Sequence, residues 1–229
     1  MISRFEELDF QATPMGELTL RRRVEPSTGV DVFEVKLGEE FLMSSLFVVA
    51  EEELARLGLA AHDNPRDVMV GGLGLGYTAV AALADARVAL LTVVETMPAV
   101  IDWHERKLLP ASTDLVDDPR TVLMMADFFA LMRATPTKQW DAILVDIDHS
   151  TEHQLDPSHA DLYTVDGLRA LARHLAPGGV FGLWSDDPPE AGFVAHLNDV
   201  FASVEAHVVA FDNFLTGGVS TNTVYVALV

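Results

Sequence analysis

The stretch VMVGGLGLGYTAVAAL, Val68 to Leu83, breaks an apolar run with Gly71, Gly72, Gly74 and Gly76 and then resumes with helical spacing. Glycines at such a turn permit positive φ and close approach of a ligand, and the helix behind them offers unpaired N–H groups. The spacing is G-x-G-x-G: Tyr77 stands where a dinucleotide fingerprint starting at Gly72 needs glycine or alanine. A tight turn that binds nothing has the same composition, so both readings stand on the loop alone. Glu95 closes the next apolar run, 19 residues after Gly76. A carboxylate there accepts from both hydroxyls of a ribose and disfavours a 2′-phosphate, the alternative being a surface acid at a strand end. Asp127, with Phe128 behind it, suits either an adenine amino group or the cap of the following helix.

A fourth apolar run, AILV, leads into Asp146, Ile147, Asp148 and His149. Asp146 and Asp148 are the candidates for handling a proton or orienting an amine, although an ordinary aspartate is a weak base. His149, His153 and His159 among Asp146, Asp148 and Asp156 raise a metal reading. Their spacing matches no compact metal motif, and no metal is expected. Tyr163 and Trp184 are aromatic candidates for a pocket wall, or else core residues near element ends.

These residues need a scaffold that brings strand ends together. Val68–Val70, Ala89–Val94, Thr121–Met125, Ala142–Val145 and Val180–Leu183 read as strands, alternating with helices at Tyr77–Leu83, Pro98–Leu108, Phe128–Met132 and Val165–Leu175. Repeated βα units imply a parallel sheet covered on both faces, with ligands outside the carboxyl ends of its strands. Ahead of it, residues 1–46 read as β-hairpins, ELTLRRRV and VDVFEVKL around the turn-rich EPSTG, followed by GEEFLMSS; a helix spans Leu46 to His62. SVEAHVVAF and TNTVYVALV form a terminal antiparallel hairpin. The expected division is 1–46 and 47–229.

Composition narrows the partners. The chain has 229 residues, 49% hydrophobic and 22% charged, the profile of a folded, water-soluble domain. It has no cysteine, which removes disulfides, cysteine-ligated zinc and a thiol nucleophile together. Fifteen basic residues against 35 acidic ones give a formal charge of -20, which repels nucleic acid and anionic membranes and favours cationic partners. No long apolar stretch suggests a membrane span, and MISRFEELDF lacks the pattern of a signal peptide, so a cytoplasmic location is expected.

Several blocks in order resemble the spermidine synthase-like, polyamine aminopropyltransferase-like branch of the S-adenosylmethionine-dependent methyltransferase superfamily. They are FLMSSLFVVAEEELARLGL, VVETMPAVIDWHERKL, DDPRTVLMMADFFALM, WDAILVDID and LYTVDGLRALARHLAPGGVFGLW. The resemblance implies an α/β, Rossmann-like class I methyltransferase fold with a small N-terminal β-hairpin subdomain, and a homodimer. It implies a donor pocket in which Gly71, Gly72, Gly74 and Gly76 approach the nucleoside and its sulfonium arm. Glu95 would hold the ribose, and Asp127 with Phe128 would contact adenine. Asp146 would stand beside the transferred carbon, and His149, Tyr163 and Trp184 would belong to the acceptor pocket.

Two positions depart from that pattern. The family's G-G-G-D-G-G carries an acid for the aminopropyl ammonium, and aligned on Gly71 and Gly72 that acid falls on Gly74. A contact between opposite charges is worth up to about 4 kcal/mol at an effective dielectric of about 20, and like charges lose a similar amount. Its absence weakens preference for decarboxylated S-adenosylmethionine and relieves repulsion of the carboxylate of S-adenosylmethionine. The acceptor motif D-S-S-D reads Asp146, Ile147, Asp148, His149, with histidine at the second acid. The sequence is therefore read first as a methyltransferase acting from S-adenosylmethionine on a small acceptor. Its alternatives are an aminopropyltransferase using the decarboxylated donor on an amine, and a non-catalytic nucleoside-binding scaffold.

Overall fold

The computed structural model describes residues 5–13 and 16–229. Strands β1 (Phe5–Thr13), β2 (Gly16–Val24), β3 (Asp31–Leu37) and β4 (Glu40–Ser44) form an antiparallel sheet in sequential order. The first of these strands was not anticipated, because its polar alternation FEELDFQAT carries little apolar signal. The sheet buries Leu18, Leu20 and Val35, which join the larger of two apolar clusters. Glu34 is buried within it between Arg21 and Arg23, whose guanidinium groups donate to its two carboxylate oxygens at 2.7 and 2.8 Å.

Helix α1 (Val49–Ala60) leads into the main sheet, whose elements follow as β5 (Asp67–Gly71), α2 (Tyr77–Leu83), β6 (Leu90–Glu95), α3 (Pro98–Glu105), α4 (Ser112–Val116), β7 (Thr121–Met125), α5 (Phe128–Arg133) and β8 (Trp140–Val145). A 3₁₀ helix at Pro157–Tyr163 precedes α6 (Val165–Ala172), β9 (Leu175–Ser185), α7 (Ala191–Asn198), β10 (Ser203–Asn213) and β11 (Gly218–Leu228). The sheet order is β10-β11-β9-β8-β5-β6-β7. Strands β9, β8, β5, β6 and β7 pair in parallel, and the C-terminal hairpin adds two antiparallel strands beside β9. The α/β architecture expected from the alternating pattern is the one observed.

The strand residues sort by parity between two covered faces, as a pleat with period two requires. Val68, Val70, Ala142 and Leu144 belong to one cluster together with Leu54 and Ala55 of α1, Ala79 of α2 and Trp103 of α3. Met69, Ile143 and Val145 face the other, with Phe129 of α5, Leu168 of α6 and Leu197 of α7. No helix among the described residues is long and apolar enough to cross a membrane.

Candidate active site

The carboxyl ends of β5, β6 and β8 converge where the glycine loop crosses to α2. Gly72 sits at φ +92°, and a Cβ there would overlap the main-chain carbonyl of Asp146, so the loop passes flush against the end of β8 only because this position has no side chain. Gly71 backs onto the ring of Phe128, and Gly76 precedes α2. Gly74 differs: its Cβ position meets only the Met43 sulfur, at 3.4 Å, so there is room for a side chain, at a positive φ that few residues besides glycine, asparagine and aspartate adopt.

Two adjoining cavities share Leu42, Met43, Gly74, Asp146 and Ile147. The smaller, about 250 Å³, brings together Gly72, Gly74, Glu95, Asp127 and Phe128, five of the seven residues expected around a nucleoside. Glu95 is buried at the end of β6. Its carboxylate accepts from the backbone N–H groups of Leu73 at 3.0 Å and Met97 at 2.8 Å. Burial pushes its pKa up, and those backbone donors oppose the shift. Asp127 caps α5, accepting from the Ala130 N–H at 3.0 Å, and it also lines the cavity, so the cap does not remove it from there. Phe129 and His159 stack at 3.7 Å between centroids to form a further part of the wall.

The larger cavity, about 490 Å³, is lined by Glu51, Asp146, His149, Trp184 and Asp186, by Gly74 and Gly76 of the loop, and by Leu42, Met43, Leu46, Phe47 and Leu215. Asp146 accepts from the Thr78 hydroxyl at 2.7 Å, and burial raises its pKa. Glu51, in the first turn of α1, is pushed up to about 8, chiefly by burial and then by the charge of Asp146. Among the described residues no cation pairs with Glu51, Asp146 or Asp186. Arg23 reaches the cavity but is held by Glu25 and Glu34.

Asp148 and Tyr163 are not brought to either cavity. The Asp148 carboxylate is buried, accepting from the Tyr163 hydroxyl at 2.7 Å, from His159 Nδ1 at 2.8 Å and from the Leu155 N–H at 2.8 Å. One residue beyond Ile147 the chain has turned inward, so Asp148, read from the sequence as a candidate for handling a proton or orienting an amine, is engaged in these hydrogen bonds instead. Asp148 thus anchors the segment 155–163 that carries His159 into the wall of the smaller cavity. The Tyr163 hydroxyl, buried against that carboxylate, is raised well above the usual tyrosine range.

Sequence reasoning passed over Glu51, Asp186 and His104. Glu51 stands three and four residues ahead of buried Leu54 and Ala55, so helical spacing places it on the apolar face of α1, unlike exposed Glu52. Asp186 was missed because β9 runs to Ser185, two residues beyond the expected end, and the strand-end rule applied there points to Asp186. His104 is fully buried and joins the loop to α4: its Nε2–H donates to the Gly74 carbonyl at 3.0 Å, which leaves Nδ1 to accept from the Ser112 hydroxyl at 3.2 Å.

The spermine/spermidine synthase domain model matches residues 47–212. The chain belongs to that family. It is 29% identical over 171 residues to polyamine aminopropyltransferase 2 of Pseudomonas aeruginosa, covering 72% of this chain and 48% of that one. It is 31% identical over 129 residues to putrescine N-methyltransferase 2 of Nicotiana tabacum, covering 56% of this chain and 35% of that one. The chain thus spans about half the length, or less, of these curated relatives. Among solved structures, spermidine synthase from Thermotoga maritima superposes with a TM-score of 0.75 at 21% identity, over 97% of this chain and 72% of that one. The spermidine synthase family fold is therefore present from the N-terminal sheet to the terminal hairpin.

Proposed function

We propose that this spermidine synthase-family chain is an aminopropyltransferase, moving the three-carbon arm of decarboxylated S-adenosylmethionine onto a small amine. The observation that carries the reading is the set of acids at the junction of the cavities, of which Glu51, pushed up to about 8, holds its proton below that pH. Asp146, Glu51 and Asp186 face this junction without a paired cation among the described residues. An arm ending in an ammonium is matched there, whereas the carboxylate of intact S-adenosylmethionine meets acids on entry. Acids from α1 and from the end of β9 line the cavity where the loop itself lacks one, which supports this reading over the donor preference drawn from Gly74.

In the proposed reaction the nucleoside lies in the smaller cavity, its ribose hydroxyls donating to Glu95. The amine lone pair attacks the methylene carbon next to sulfur. A C–N bond forms as the C–S bond breaks, and the electron pair leaves on sulfur, giving neutral methylthioadenosine. The enzyme aligns the two reactants and takes up the proton that the amine nitrogen must lose. Asp146 stands closest in position to that role, at the wall shared by both cavities. Glu51, pushed up to about 8, provides a second proton acceptor once it is ionised.

The second reading, methyl transfer from S-adenosylmethionine, is favoured by Gly74 and by the names of the Nicotiana relatives. Calorimetry with the decarboxylated donor, S-adenosylmethionine and methylthioadenosine separates the two. Tighter binding of the decarboxylated donor is expected; preference for S-adenosylmethionine sinks the aminopropyl reading, and binding of none sinks both.

A further inference from the structure

Thr78 is buried in the first turn of α2, where α1 and the end of β8 meet it. Its hydroxyl oxygen lies 2.7 Å from Oδ2 of Asp146 and 3.3 Å from the main-chain carbonyl of Glu51. A threonine hydroxyl has one proton to donate, and it goes to the carboxylate, which is both the shorter contact and the charged acceptor. The Glu51 carbonyl is the weaker second acceptor.

The two oxygens of Asp146 are therefore unequal. Oδ2 is taken by Thr78, whereas Oδ1 has no hydrogen-bond partner among the described residues and is not shut away from solvent. Asp146 lines both cavities, so Oδ1 is the oxygen left for a reactant. Glu51 of α1, Asp186 beyond β9, His149 after β8 and Tyr77 of α2 line the larger cavity with it, and Arg23 and Glu34 of the N-terminal sheet are bound to each other there. In the smaller cavity Glu95, Asp127 and Asp156 accept from backbone N–H groups, and His159 is held by Asp148. Among the described residues none of these donates to Asp146, so the Thr78 hydroxyl alone opposes the burial that drives its carboxyl toward the neutral form.

Resting on the transferase reading for the role of Asp146, we propose that Thr78 is a positioning residue for the proton acceptor: its hydroxyl fixes which carboxylate oxygen meets the amine and keeps that carboxylate ionised. The reaction needs both, since a turned carboxylate misses the amine and a protonated one cannot take its proton.

Thr78→Val keeps the shape of the side chain and removes the hydroxyl, and Thr78→Ala, which cannot overfill the site, is measured beside it. The first readout is the carbon-13 signal of the Asp146 carboxyl in the ligand-free protein, assigned by its loss in Asp146→Asn. It is followed against pH in the Glu51→Gln background, so that the neighbouring acid does not titrate with it. Both Thr78 variants are expected to move this titration to higher pH. With the decarboxylated donor and 1,4-diaminobutane, kcat is expected to fall about tenfold near neutral pH, its acid limb displaced in the same sense. Methylthioadenosine affinity should stay within about twofold. Thr78→Ser rebuilds the hydrogen bond and should restore both the titration and kcat. A titration that stays in place in the valine and alanine variants overturns the proposal, as does a serine variant that behaves like valine; a merely structural threonine would weaken folding and nucleoside binding and leave the titration where it was. Absence of turnover in the unaltered protein defeats the aminopropyl reading instead, and the titration, which needs no substrate, still decides whether Thr78 holds Asp146.

Discussion

Glu51 keeps its proton to about pH 8 because α1 sinks it beside Asp146 at the edge of the cleft. A carboxyl whose folded pKa lies above its unfolded value of about 4.5 holds the extra proton in the fold, so stability falls as pH rises between those values. Glu51→Gln is therefore expected to raise the melting temperature of the ligand-free protein at about pH 8, on the order of 5 °C, and to leave it little changed near pH 4. The same substitution should weaken the decarboxylated donor or the amine about tenfold and spare methylthioadenosine. At Gly74, φ is +47°, a region aspartate tolerates, and only the Met43 sulfur is near. Gly74→Asp is accordingly expected to tighten the decarboxylated donor about tenfold in calorimetry while weakening S-adenosylmethionine by a similar factor.

Between elements, the links that hold the site are single polar side chains. His104 joins α3, the glycine loop and α4, and burial lowers its pKa, so it is neutral in the fold. A histidine with a depressed folded pKa costs stability as pH falls below its unfolded value of about 6.5, since the unfolded chain takes up the proton first. His104→Phe is expected to remove that acid-side loss and to loosen the nucleoside site, read as weaker methylthioadenosine binding and a flatter melting profile below about pH 6.5. Tyr163→Phe leaves one oxygen of buried Asp148 without its donor, at a cost of about 1–3 kcal/mol in chemical unfolding. Its effect on turnover should follow nucleoside affinity, because the pair secures the cavity wall from outside.

The strand ends were readable because alternation and glycine content mark where β5, β6 and β8 stop. Gly72, Glu95, Asp127 and Asp146 could be placed on one rim from spacing alone, and they share a cavity system. What the sequence concealed were contributions that depend on burial. Glu51 lies in an EEE run whose members differ only in which way the helix turns them. Asp148 looks like its neighbour Asp146 until the chain reversal after β8 is known.

Across the whole molecule, the formal charge of -20 surrounds a cleft whose unpaired groups are acids. Long-range attraction then acts on cationic reactants and is screened by salt. Raising ionic strength from about 0.02 M to about 0.5 M should weaken the cationic donor several-fold and leave neutral methylthioadenosine nearly unaffected, as binding isotherms would read.

The β10–β11 turn ties chain order to chemistry in a different way. Its tip, residues 214–217, lies between two long strands that fix the sheet, yet only Phe214 and Leu215 approach the cleft region, and Leu215 reaches the larger cavity. The wall of the smaller cavity comes entirely from residues 42–159. Substitutions at the tip can therefore accumulate while that wall keeps its lining. A lineage carrying this fold is free to reshape the larger cavity by drift in a four-residue hairpin tip and leave the smaller one as it is.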